Sequence, residues 1–155
     1  MASKTSAGVL LYRKRTGGVE VFLVHPGGPF WSRKDAGAWT IPKGEIEAGE
    51  APLDAARREF SEETGSNVDG PFVSLGSVRM RSGKVVFAWA AQGDIDPETI
   101  RSNLFTMEWP PRSGRQQEFP EADRAEWFTI GEARRRILLA QAPLLDELAA
   151  LLAAV

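Results

Sequence analysis

From Gly44 the chain runs Gly-Glu-Ile-Glu-Ala-Gly-Glu-Ala-Pro-Leu-Asp-Ala-Ala-Arg-Arg-Glu-Phe-Ser-Glu-Glu-Thr-Gly, ending at Gly65. The spacing predicts a helix over Ala51 to Thr64, with Pro52 in the first turn, where a missing N–H costs nothing, and Gly65 as its stop. At about 100° per residue, Glu59, Glu62 and Glu63 gather on one face, beside an apolar stripe of Leu53, Ala56 and Phe60. Like charges one turn apart repel by a few tenths of a kcal/mol when exposed, and by more where solvent is excluded. Positive charge must compensate. Arg58 is adjacent and can pair with one of them, while a hard divalent cation suits a cluster of oxygen ligands and joins carboxylates to phosphates. A bare E-x-x-E-E is ordinarily a solvated helix face. The longer pattern Gly44, Glu50, Arg58, Glu59, Glu62, Glu63, Gly65 is different. With each residue type at roughly one position in ten, seven fixed positions recur by chance at about 10⁻⁷ per window.

The 155 residues suit one domain, expected to span 1–155, and a chain of this size buries about 70% of its unfolded surface without any staple. No cysteine is present and His25 is the one histidine, which excludes a disulfide scaffold, a thiolate zinc site, a cysteine nucleophile and a multi-histidine metal site. Any metal must sit on oxygen. Nineteen Lys and Arg against twenty-one Asp and Glu leave a net charge of −2, so nothing drives the chain toward duplex nucleic acid or an anionic membrane. No apolar run approaches the roughly 20 residues of a membrane span, and Met1-Ala-Ser-Lys4 lacks an export pattern. A cytoplasmic location is expected.

Working outward from the helix, Ala7–Arg13 and Val19–His25 read as a hairpin around residues 14–18, and residues 26–38 as a long loop. Trp39-Thr40-Ile41 reads as a short strand. Phe72–Met80 and Val85–Ala91 form a second hairpin around residues 81–84, with shorter strands at Phe105–Trp109 and Glu126–Thr129. The chain turns helical from Ile130, with Pro143 splitting Glu132–Gln141 from a last helix whose Leu144, Leu148, Leu151 and Val155 share a stripe. A mixed α/β sheet follows. Leu144, Leu145, Leu148, Leu151 and Leu152 offer more apolar surface than a thin cover needs, so a homodimer through this helix is an expected assembly.

The stretch Gly44–Ser66 resembles the Nudix box, G-x5-E-x7-R-E-U-x-E-E-x-G-U with U a bulky apolar residue. Every charged and glycine position matches; Ser66 departs from the final U. The order of elements is also similar to the Nudix α/β/α sandwich with a mixed β-sheet. The resemblance implies hydrolysis, with Mg²⁺ or Mn²⁺, of a nucleoside diphosphate linked to another group. Glu59 and Glu63 would be metal ligands, Glu62 a further ligand or the base, and Arg58 the orienting cation. Glu50 would be a structural partner, and the carbonyl near Lys43-Gly44 a further metal ligand. Family members often add a loop carboxylate six residues ahead of a tryptophan; Glu121 stands there before Trp127, with Glu118 its competitor. Trp39-Thr40-Ile41-Pro42-Lys43-Gly44 is similar to the lead-in of members that split dinucleoside polyphosphates, although the tyrosine usual downstream is missing. The implied partner is a small nucleotide. The alternative is a catalytically idle Nudix-like sensor that binds a nucleotide, against which the complete carboxylate set weighs.

Lys43 is the candidate phosphate contact, with Arg33, Lys34, Arg112 and Arg115 as a candidate cationic rim. Trp31, Phe30 and Trp109 are candidates for stacking on a base, each equally a core residue. His25 ends the second strand, where a structural role outweighs contact with a leaving group.

Overall fold

The computed structural model describes residues 4–154. In chain order the elements are β1 (Thr5–Arg15), β2 (Gly18–Pro26), β3 (Lys43–Glu45), α1 (Pro52–Thr64), β4 (Val73–Arg79), β5 (Val85–Gln92), β6 (Leu104–Glu108), β7 (Gln116–Pro120), β8 (Ala122–Thr129), α2 (Ile130–Arg136) and α3 (Ala142–Ala153). The alternation along β1 sets the layers, because successive side chains of a strand point to opposite faces. Ala7, Val9 and Leu11 pack with Ala55, Ala56 and Phe60 of α1. Leu10 faces the other way, into a cluster with Trp39, Phe128, Ile137, Leu144, Leu145 and Leu148. Helices therefore cover both sides of one sheet.

That sheet has the order β4-β5-β1-β2-β8, with β3 also on β1, while β6 and β7 form a separate ribbon. β1 runs parallel to β5 and antiparallel to β2 and β3, so the sheet is mixed as expected. The β1–β2 register reaches only from Arg15↔Gly18 to Tyr12↔Val21. Beyond it the two strands fork, and residues 40–45 fill the gap. Thr40 exchanges backbone hydrogen bonds with Val24 at 2.9 and 3.0 Å, the Val9 N–H donates to Pro42 O, and β3 then pairs with Ser6–Gly8.

The strand expected over Trp39-Thr40-Ile41 is replaced by two isolated bridges, Val24↔Thr40 and Trp39↔Ile137. The regular strand comes later, at β3, because that is where β1 has a free edge. The helix expected to continue to Gln141 ends at Arg136. Ile137 turns extended, its bridge with Trp39 backed by the Leu138 N–H donating to Trp39 O. Pro143 lies in the first turn of α3, where it begins a helix rather than breaking one. β7 was not expected at all. Leu144, Leu145 and Leu148 are fully buried, and Leu151 and Leu152 pack partly buried on the same core, so the stripe finds its cover within the chain; Val155 lies outside the described residues.

Gln141 holds the filled fork from behind. Its wholly buried amide accepts the Ile41 N–H at 3.0 Å and bonds the Thr40 hydroxyl. Gln141→Leu would leave the Ile41 N–H buried and unpaired and the Thr40 hydroxyl with the Ile41 carbonyl alone, costing about 2 kcal/mol. A denaturant titration should show this as a lower midpoint at unchanged slope.

Candidate active site

α1 begins without a side-chain cap at Ala51 and closes at Gly65, whose φ of 77° is the left-handed conformation glycine adopts freely, its N–H on Ser61 O. Arg58 organises the acidic face between these ends. Its Nε donates to Glu50 Oε2 at 2.8 Å and its Nη2 to Glu50 Oε1 and the Glu45 carbonyl, each at 3.0 Å. Its Nη1 donates to Glu59 Oε1 at 2.8 Å and Glu62 Oε2 at 3.0 Å. These bonds hold the Glu50 carboxyl below the usual carboxylate range, with the Glu47 N–H adding to the effect. They also raise the guanidinium's own affinity for its proton.

Glu63 points inward and accepts the backbone N–H of Lys43. Burial pushes its carboxyl up to about 8, against the opposing pull of Lys43, while burial lowers the Lys43 ammonium. Burial also raises Glu59, against the opposing Arg58 bond. Gly44 is where Glu59 and β3 meet, for a Cβ there would lie 2.0 Å from the Glu59 carboxyl carbon. No side chain fits.

The end of α1 reaches Glu121 through a relay of backbone bonds. Asn103 N–H donates to Glu62 O, Glu121 N–H to Asn103 O, each at 2.8 Å, and Gly27 N–H to Glu121 O at 3.0 Å. This brings Glu121 into the same cleft, of about 780 Å³, as Glu59, Glu62, Glu63, Gly44, Lys43 and Trp31. The Glu121 carboxyl is raised by burial and by the charge of Glu62. Glu118 lies on β7 opposite Thr106, away from the cleft.

Other expected residues fall elsewhere. Arg33 and Lys34 do not line the cleft; Lys34 instead stands over the Trp31 ring at 5.1 Å. Arg112 and Arg115 belong to the turn between β6 and β7. Phe30 and Trp109 face each other at 6.3 Å, outside the cleft that Trp31 lines. Buried His25 bonds Asp123 at 2.8 Å and the Lys34 carbonyl at 2.6 Å, tying the 26–38 loop to β8. The cleft's own cations beside Lys43 are Arg81 and Lys84, from the turn between β4 and β5, which the sequence did not single out. The signal available was the basic, glycine-containing turn Arg81-Ser82-Gly83-Lys84 itself.

The donor set suits a hard divalent cation: four carboxylates line one cleft, and burial or mutual repulsion raises three of them, which a cation would reverse. Among the described residues, no three acidic or imidazole groups already converge as a cage; Glu59 and Glu62 turn to Arg58, and Glu63 to the Lys43 backbone.

A family model for the NUDIX domain matches residues 2–148. The chain belongs to the Nudix family. Every charged position of the box is present. Among solved structures, the Nudix fold here is similar to a binary complex of the C. elegans Ap4A hydrolase, at 23% identity, 98% of this chain, 99% of that chain and a TM-score of 0.69. It is equally similar to the NUDIX domain of Shewanella oneidensis NrtR complexed with ADP ribose, at 16% identity, 98% and 90% coverage and a TM-score of 0.69. In sequence it is 33% identical over 101 residues to a Myxococcus xanthus octanoyltransferase, that match covering 65% of this chain and 25% of the relative, so it spans a quarter of that protein's length. Among the described residues, no helix of this Nudix chain is long and apolar enough to cross a membrane.

Two outcomes follow from this Nudix site. A glutamate raised to about 8 keeps its proton in the fold when the unfolded chain has lost it, so stability falls as pH rises from about 5 toward that value. Thermal unfolding in chelator should show this fall, and Glu63→Gln should lessen it, leaving the smaller part that comes from Glu59 and Glu121. Arg58→Lys keeps one charge but loses the planar fork, and its melting temperature should drop by roughly 5 °C.

Proposed function

We propose that this chain hydrolyses a pyrophosphate bond in a nucleoside diphosphate linked to another moiety, a dinucleoside polyphosphate or a nucleoside triphosphate, using Mg²⁺ or Mn²⁺. The observation that carries the proposal is the meeting of the α1 carboxylates with Glu121 in a cleft that also holds Lys43. Glu59, Glu62, Glu63 and Glu121, with the Gly44 carbonyl, would hold the cation, which when bound neutralises phosphate charge and acidifies water. Glu62 is the base: half exposed, it takes the proton of a water that attacks phosphorus in line, while the P–O bond to the leaving phosphate breaks. The proton then passes to solvent. Arg58 fixes the carboxylates of Glu59 and Glu62, and Lys43 meets a phosphate oxygen. Trp31 borders the cleft where a base or sugar would lie. The Trp39-to-Gly44 lead-in supports the dinucleoside polyphosphate class, although Trp39 itself is wholly buried, its indole packed on His25 and Phe128 and its N–H on Asp35.

A hydrolysis screen at slightly alkaline pH over dinucleoside polyphosphates, nucleoside triphosphates, ADP-ribose, NADH and nucleotide sugars tests this. Glu62→Gln and Glu63→Gln should each lower kcat by at least about 100-fold with the fold retained. Full activity in both variants would sink the proposal. Nucleotide binding without turnover in the unaltered chain would favour the sensor.

A further inference from the structure

The wall of the cleft formed by the β4–β5 turn has no part in the chemistry described so far. Arg81 and Lys84 both line the cleft. Arg81 is exposed, and among the described residues no carboxylate lies within ion-pair distance of it. Lys84 has only a long contact, 3.5 Å, to Glu45 Oε1, an oxygen that Lys4 also approaches at 3.6 Å. One carboxylate thus faces two ammonium groups. Lys84 also stands close enough that its charge adds to burial in lowering the Lys43 ammonium. Cations crowded in this way are relieved by an anion.

An independent observation lies at the cleft floor. Ser6 is 1% exposed, yet its hydroxyl is the buried side-chain polar atom without a partner among the described residues. Such a group ordinarily costs about 1–3 kcal/mol unless something bonds it. Ser6 lines the same cleft, and its strand position pairs with Glu45 on one side and Val86 on the other, so it sits between β3, which carries Lys43, and the start of β5, which Lys84 precedes.

We propose that Arg81 and Lys84, with the Ser6 hydroxyl beneath them, form a phosphate subsite beyond the carboxylates, selecting substrates with a chain of three or more phosphates over simple diphosphates. The subsite deepens the pyrophosphohydrolase proposal and rests on it for the position of the cleaved bond. It works by complementarity: phosphates near the α1 carboxylates engage the metal and Lys43, and those further along the chain meet a cationic wall. A diphosphate linked to a neutral sugar leaves that wall unmet. Lysine and arginine contacts to phosphate are charge-assisted, and losing one costs about tenfold in affinity.

Calorimetric titration with inorganic tripolyphosphate and with pyrophosphate, both in Mg²⁺, tests the subsite without requiring turnover. The unaltered chain should bind tripolyphosphate the more tightly, and Arg81→Gln or Lys84→Gln should lose about tenfold for tripolyphosphate. Arg33→Gln, outside the cleft, should lose nothing. In hydrolysis, Arg81→Gln should lower kcat/KM for a dinucleoside tetraphosphate about tenfold relative to that for ADP-ribose, through KM. Equal binding of the two inorganic probes, unchanged binding in both cleft variants of intact melting temperature, or an equal loss in Arg33→Gln would each overturn the proposal. Arg81-dependent tripolyphosphate binding without hydrolysis of any nucleotide would uphold the subsite and overturn the enzymatic reading instead.

Discussion

Five hydrogen bonds radiate from the guanidinium of Arg58, and the acidic face of α1 exists because of them. Three glutamates on one side of a helix repel, and a helix does not gather them without compensation. A lysine could balance the charge but could not span Glu50, Glu59, Glu62 and the Glu45 carbonyl at once, because its donors diverge from a single nitrogen. The planar fork fixes the separation between the helix and the segment from Glu45 to Glu50. Gly44 completes this constraint by giving the Glu59 carboxylate the space where a side chain would stand.

The site also depends on main chain far from the box. Glu121 enters the cleft through bonds that start at the last turn of α1 and pass through Asn103, so its position is inherited from the helix rather than from its own loop. The lead-in is governed from the opposite layer. Gln141 and the Trp39–Ile137 bridge hold residues 39–41 where the fork between β1 and β2 needs filling. Lys43 then faces the cleft, with the buried indole of Trp39 packed edge-on against His25 at 5.3 Å and Phe128 at 5.0 Å.

Local patterns were legible; pairings across the chain were not. The helix reads from Pro52 and Gly65, and the first two hairpins from β-rich runs around glycine turns, because those signals act within a few residues. β7 carries Gln-Gln-Glu-Phe-Pro and has little strand character of its own; it is a strand because β6 supplies the partner. The end of α2 at Arg136 is equally tertiary, imposed by Trp39. Among site residues, the box carboxylates followed from helical periodicity. Arg33 and Lys34 were singled out as loop cations and Arg81 and Lys84 were not, because which turn borders a cleft depends on the strand order β5-β1, which spacing does not reveal.

The parallel pairing of β1 with β5 has a kinetic consequence. Thr5 lies opposite Val85 and Tyr12 opposite Gln92, so the centre of the sheet closes only across a long stretch of chain that must already be in place. Loop-closure entropy delays such contacts, and folds with high contact order cross their barrier late. The box helix can form early as a local element, but its apolar stripe of Ala55, Ala56 and Phe60 meets Ala91 only when this distant strand arrives. During synthesis the acidic helix emerges well before its cleft, and the chain has no competent centre until residues near Glu121 and Gln141 have followed.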